Sequence, residues 1–257
     1  MIGMTDPQTT GRFLWTQEPW GRALRCDALP VRHLFTSSDL VLRDDEAEWD
    51  AVAASLGVPR ERLLLVKQVH GIDVAVARRG VTAWSRPQAD IVITDDPAVA
   101  IGVRTADCAP ILLFDPCRNI AGAVHAGWRG TAAGAAAAGV AAMAKEFGSR
   151  PANLIGAIGP CLNACCGEVG PDVLDAFRAG GADAASIAAW FTPGNGDRSF
   201  LDLEGANRNQ LERAGLEPAA IHASGLCTKT HHGRLHSYRA ARDRAGRLLA
   251  AIRVTPA

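Results

Sequence analysis

The chain has 257 residues and balances 27 Lys+Arg against 27 Asp+Glu, so it carries no formal net charge near neutrality. No basic stripe offers a surface to nucleic acid, and no apolar run is long enough to span a bilayer. The seven cysteines are an odd number in a large chain, and its first residues, MIGMTDPQTTGRFLW, lack a basic-then-apolar leader, so reduced thiols and a cytoplasmic protein are expected.

Residues 1–30 mix Trp, Pro, Gly and Arg without a period and read as an irregular arm or edge strands. A strand is expected at 31–37. A helix follows at 44–56, capped at Asp44 or Asp45, with Trp49 and Val52 on one face and Gly57 and Pro59 ending it. The apolar run 63–69 predicts a strand that delivers His70 at its end, then a strand at 73–77 and a loop over 78–88. Residues 90–94 and 99–103 read as a strand pair turning at Asp95-Asp96-Pro97. The runs 111–114 and 120–124 flank Asp115-Pro116-Cys117-Arg118-Asn119 and predict a hairpin. Gly127-Trp128-Arg129-Gly130 reads as a Gly-rich turn, and an Ala-rich helix is expected to start near Thr131.

Downstream, a strand at 154–158 runs into the turn Gly159-Pro160-Cys161, which is expected to shape a pocket wall. Helix is expected at 172–179, with a further turn or two within 180–189. A turn at 193–197, a strand at 200–203, a helix at 203–214 ended by Gly215 and a strand at 219–224 follow. The arginines and leucines of the tail, 237–254, suit either a helix or a strand, a turn at 243–246 and a second strand. No repeat or linker marks a boundary, so one domain over 1–257 is expected, and a monomer is the default expectation.

Three chemically capable side chains share a position type. Antiparallel pairing of the hairpin sets Cys108, just before its first strand, beside His125, which closes its second, and His70 ends the strand at 63–69. Two imidazoles and a thiolate with a fourth position open suit a catalytic Zn²⁺, and His₂Cys is also a copper ligand set. Against this stand a buried Cys and core His residues with only structural roles. The same Cys108–His125 pair also has the form of a nucleophile and its base, as in a cysteine hydrolase. Cys161, Cys165 and Cys166 match no recognised zinc spacing and are expected as buried or loop thiols. His231 and His232 are expected in a solvated loop.

The runs KQVHG (67–71), TADCAPILLFD (105–115), AGAVHAGWRGT (121–131), IGPC (158–161) and EVG (168–170) resemble the laccase-domain, or polyphenol-oxidase-like, family of bacterial proteins, over roughly 63–254. Purine nucleoside phosphorylase activity is also attributed to that family. The resemblance implies an α+β fold of mixed sheets packed face to face with helices outside. It implies zinc on His70, Cys108 and His125. It also implies phosphorolysis of adenosine and inosine to base and ribose 1-phosphate, with adenosine deamination and methylthioadenosine phosphorolysis besides. It favours strand-turn-strand for the tail.

On that footing Arg129 and the helix N-terminus near Thr131 form the expected phosphate seat. Asp107 is an acid/base, a support for a ligand imidazole, or a turn residue. Gln68 bonds substrate or is an edge-strand polar residue. Arg239 is carried over from a loose match to the family's Ser-Tyr-Arg-Arg-Asp run, here with Ala240 and Ala241 between arginines. The family's older label points instead to a copper-dependent oxidation of phenols. With seven His and no His-Cys-His run, however, a trinuclear copper cluster cannot be built. The family's Arg-x-Gly-Gly-x-Ser and Asn-Leu run is replaced by HLFTSSDLVLR at 33–43, which predicts a shortened loop and an altered substrate pocket, and leaves open a non-catalytic relative.

Overall fold

The two apolar runs around Cys117 form the centre of the molecule, because their alternate residues have partners on both sides. In the computed structural model, which describes residues 5–255, they are paired antiparallel from Ala109↔Ala126 to Asp115↔Ile120. Ile111 and Leu113 turn towards helices, while Leu112 and Phe114 turn towards a second sheet. A strand alternates faces with period two, so a run apolar at every position is buried on both.

The chain begins with β1 (Phe13–Glu18), β2 (Gly21–Cys26) and β3 (Arg32–Thr36), then α1 (Glu46–Ser55), β4 (Leu63–Leu65), β5 (Val74–Ala77), β6 (Ile91–Thr94) and β7 (Ala100–Thr105). The central hairpin is β8 (Ala109–Asp115) and β9 (Ile120–Ala126), followed by α2 (Trp128–Ala132), α3 (Ala135–Phe147) and β10 (Ile155–Ile158). Next come β11 (Glu168–Val169), α4 (Pro171–Ala179), α5 (Ala184–Trp190), β12 (Phe191–Pro193) and β13 (Ser199–Leu201). The chain ends with α6 (Leu203–Arg213), β14 (Ile221–Ala223), α7 (Tyr238–Ala241) and β15 (Leu248–Arg253).

Among the described residues, one six-stranded sheet runs β1-β2-β3-β15-β7-β4 and a second runs β14-β10-β8-β9-β6-β5. They face each other across a core that includes Leu24, Phe35, Ile101, Leu112, Ala123 and Ile252. On the outer face of the second sheet pack α3 and α6, through Met143 and Leu211, while α4 packs against α2 and sets Phe177 on Trp190 and Phe191. On the outer face of the first packs α1, through Trp49 and Val52. The fold is therefore α+β, with mixed sheets face to face and helices outside. No helix among the described residues is long and apolar enough to cross a membrane.

Asp45 caps α1 by accepting the Ala47 N–H, as expected. Several local expectations need correction. Residues 13–26 are no irregular arm but the edge hairpin of the first sheet. The strand expected at 63–69 stops at Leu65, and His70 sits in a loop with φ 64°. The segments at 90–94 and 99–103 do not pair. β6 lies in the second sheet and β7 in the first, because each is apolar on both faces and is sandwiched there.

Gly127 is the N-cap of α2, so Trp128, Arg129 and Gly130 are helix and not turn. The first half of the tail is helical, with Ser237 accepting the Ala240 N–H; only its second half, β15, is a strand. In the 33–43 segment, Leu40 and Leu42 are buried against α1.

Candidate functional site

The hairpin register sets His125 opposite Pro110, two residues past Cys108. His70 reaches the same point from the loop after β4. The three side chains offer ligand atoms that all lie within 4.8 Å of one another, and the two imidazole rings stand edge to face at 4.9 Å. The expected trio therefore does converge. His125 is buried, whereas His70 is exposed.

What holds them is Asp90, at the head of β6 and fully buried. Its carboxylate accepts the backbone N–H of Val69 (3.1 Å), His70 (2.9 Å) and Gly71 (2.7 Å), which fastens the loop carrying His70 in its left-handed conformation. It also bonds His125 Nδ1 at 2.7 Å, which leaves Nε2 for the cleft. A carboxylate that orients a histidine's far nitrogen is the usual support of a metal-ligating imidazole. Gly127 is required because a Cβ there would lie 2.8 Å from Cys108 Sγ and 3.2 Å from the His70 ring.

Burial would raise the Cys108 thiol, but the His125 and His70 imidazoles outweigh it and bring it to about 6. Burial would lower His125, but the Cys108 thiolate and Asp90 outweigh it and raise the imidazole to about 9. Without a metal, the pair is a thiolate and an imidazolium near neutral pH. The donor set fits a d¹⁰ ion such as Zn²⁺, with two imidazoles, one low-pKa thiolate, a carboxylate behind one imidazole and an open cleft in front.

That cleft has a volume of about 620 Å³ and is lined by Lys67, Arg86, Arg104, Arg129, Arg239, Arg242 and Arg247, with Asp107 the one carboxylate among its lining residues. Its lining begins at Lys67, so among the described residues the altered 33–43 segment takes no part in its wall. Another surface cavity, of about 560 Å³ beside α4 and α5, has neither His nor Cys in its lining.

The remaining expected residues divide. Arg129 lines the cleft with its guanidinium 4.1 Å from the Trp128 ring centre. Arg239 lines it too, and donates to the carbonyl of Glu168 at 2.9 Å. Asp107, at φ 92°, accepts the Thr228 hydroxyl at 2.6 Å and the Arg239 N–H at 2.5 Å. Its carboxylate thus ties the wall of the cleft together, nearer to the turn-residue reading than to an acid/base.

Gln68 spends its amide on the backbone of Arg104, donating at 2.7 Å and accepting at 2.9 Å. Thr131 does not reach the cleft. It is fully buried, and its hydroxyl accepts from Asn207 at 3.0 Å. The Ala-rich helix expected from Thr131 begins only at Ala135, and Thr131 instead lies in the separate short helix α2, facing inward.

Two features escaped the sequence reading. Asp90 looked like the first residue of a strand, and its only signal was a carboxylate heading an apolar run. Arg104 lies in the cleft wall with its Nε buried and unpartnered. Burial, with Arg86 and Arg247 adding to it, lowers its guanidinium below the ordinary range.

The chain matches the family model described as multi-copper polyphenol oxidoreductase laccase over residues 43–255. It is 36% identical to a purine nucleoside phosphorylase of Streptomyces coelicolor over 96% of this chain and 97% of the relative. It is 33% identical to an adenosine deaminase from an unknown prokaryotic organism, over 78% of each. The crystal structure of YlmD from Geobacillus stearothermophilus superposes with a TM-score of 0.81 at 30% identity, covering 94% of this chain and 99% of that one.

Proposed function

Because the chain belongs to the family described as multi-copper polyphenol oxidoreductase laccase, we propose that it acts as a zinc-dependent purine nucleoside phosphorylase. It would take adenosine or inosine with phosphate to free base and ribose 1-phosphate, with adenosine deamination and methylthioadenosine phosphorolysis as further activities. The observation that carries this reading is the His70–Cys108–His125 trio opening onto an arginine-lined cleft of nucleoside-plus-phosphate size. Relatives named purine nucleoside phosphorylase and adenosine deaminase support it.

His70, Cys108 and His125 would hold the ion, and bound there it supplies Lewis acidity to a substrate oxygen. Asp90 keeps His125 in the tautomer that presents Nε2. Phosphorolysis needs an anion held beside the anomeric carbon while the glycosidic bond breaks. Arg104, with Arg86 and Arg247, is the better phosphate seat than the Arg129–Thr131 pair, since Arg104 carries a buried donor without a partner. Arg129, stacked on Trp128, is placed to bound the base or ribose. Asp107 and Arg239 position the wall.

The test is metal analysis with a product assay on the chain and on Cys108→Ser. The expected result is one zinc at the trio, and hypoxanthine or adenine released only with phosphate present, both lost in the variant. Zinc-loaded protein that leaves adenosine and inosine untouched at every phosphate level overturns the reading.

The low thiol pKa of Cys108 beside His125 favours, as a second reading, a cysteine hydrolase. Alkylation separates the two, because zinc protects Cys108 under the first and leaves it reactive under the second. The copper oxidation of phenols suggested by the family description would have to use the same trio, since the other ligand cluster among the described residues holds only cysteines. Phenol oxidation that vanishes in copper-free buffer, and is absent from Cys108→Ser with copper added, would place any such activity on copper at the trio.

A further inference from the structure

The turn after β10 and the segment after β14 are zipped together by backbone bonds. Cys161 N–H donates to Leu226 and Thr228 N–H donates to Cys161, at 3.2 and 2.9 Å. This pairing carries Cys227 to the loop holding Cys165 and Cys166, 61 residues earlier at the nearer cysteine. The three sulfurs lie within 4.8 Å of one another. Cys161, the cysteine that the linear spacing grouped with them, stays outside; it is buried, with its sulfur on Asn163 Oδ1 at 3.1 Å.

We propose that Cys165, Cys166 and Cys227 form a second metal site, a trithiolate that binds a thiophilic d¹⁰ ion, Zn²⁺ or Cu⁺. Three sulfurs about 2.3 Å from one ion stand about 4 Å apart, so small side-chain rotations close the observed cluster around it. Soft thiolates select these ions over hard ones. Cys227 is buried at 4% exposure and gives a fixed anchor, while Cys165 is exposed and Cys166 half-buried, which opens a path to solvent. Thr230 places its hydroxyl 3.4 and 3.5 Å from the Cys165 and Cys166 sulfurs, filling the flank.

Three thiol protons leave to solvent as three metal–sulfur bonds form. The ion would join the two segments that carry Arg239 and its carbonyl partners Glu168 and Cys166, and so stiffen that wall of the cleft.

The test uses the reduced, full-length Cys108→Ser chain, which lacks the thiolate of the first site, with Cd²⁺ as the probe under anaerobic conditions. The expected result is a thiolate-to-metal charge-transfer band that saturates at one equivalent. Adding Cys165→Ser should cut the band by about a third and weaken binding at least tenfold. Adding the exposed Cys117→Ser instead should change nothing. Cu⁺, the softer and more thiophilic ion, should displace the Cd²⁺ and remove the band.

Cys165 is at the surface, so Cys165→Ser should fold, and its thermal unfolding curve checks this. Absence of the band in Cys108→Ser overturns the proposal, as does a band that survives Cys165→Ser with Cys166→Ser undiminished. A thiol count showing a disulfide among the three in protein prepared without added oxidant overturns it in favour of a redox pair.

Discussion

Asp90→Asn is the sharpest probe of how the site is held. One carboxylate oxygen takes His70 N–H at 2.9 Å and His125 Nδ1 at 2.7 Å, and the other takes Val69 N–H at 3.1 Å and Gly71 N–H at 2.7 Å. Asparagine keeps one acceptor oxygen, so whichever way the amide turns, its NH₂ faces two donors. The residue is fully buried, and no solvent replaces the lost bonds. Hydrogen bonds to a charged group contribute about 1.5–3 kcal/mol each, so two lost bonds predict about 3 kcal/mol or more of destabilisation in urea unfolding of the metal-free protein.

The loop carrying His70 and the ring of His125 lose their common anchor. Zinc affinity, read by competition with a chelator, should therefore fall about 10–100-fold. If Asp90→Asn unfolds within about 0.5 kcal/mol of wild type and binds zinc within about twofold, then Asp90 does not organise the site.

Zinc uptake should also depend on pH with a defined sign. His125 holds a proton up to about 9 in the metal-free pair, and the metal must displace it; affinity should climb about tenfold per pH unit from 6 to 9 and level above. A flat profile over that window contradicts the pairing of Cys108 with His125. Arg104→Gln should raise the KM for phosphate at least tenfold while leaving the zinc content as in wild type; an unchanged KM moves the phosphate seat elsewhere.

Gly127→Ala would put a Cβ 2.8 Å from Cys108 Sγ, and zinc affinity should drop at least tenfold with about 1–3 kcal/mol of strain. Burial, with Asp202 nearby, raises Glu204 from 4.5 to about 7, against the lowering by the Gly225 N–H and Arg208. The folded state thus favours its neutral form. That contribution is full below pH 4.5 and is lost as pH rises through 7. Thermal melts should show Glu204→Gln gaining on wild type between pH 5 and 8, and parallel melting curves would refute this.

Local chemistry made a large part of the molecule legible in advance. The β8–β9 hairpin follows from two fully apolar runs around Asp-Pro, the start of α1 from Asp45, and the adjacency of Cys108 and His125 from hairpin register alone. Such signals act within a few residues, so they survive in one dimension. Partners distant in the chain leave no comparable trace. β6 and β7 join different sheets although five residues separate them, and β15 from the C-terminal end lies between β3 and β7.

Asp90 gathers three loop N–H groups because two layers meet there. Cys227 joins Cys165 and Cys166 because two backbones zip at Cys161. The chain alone determined which residue types could do chemistry and where its turns and caps fall. Only the closing of two apolar sheet faces on one another decided which of those residues meet, since burial rewards total area removed from water and is indifferent to separation along the chain.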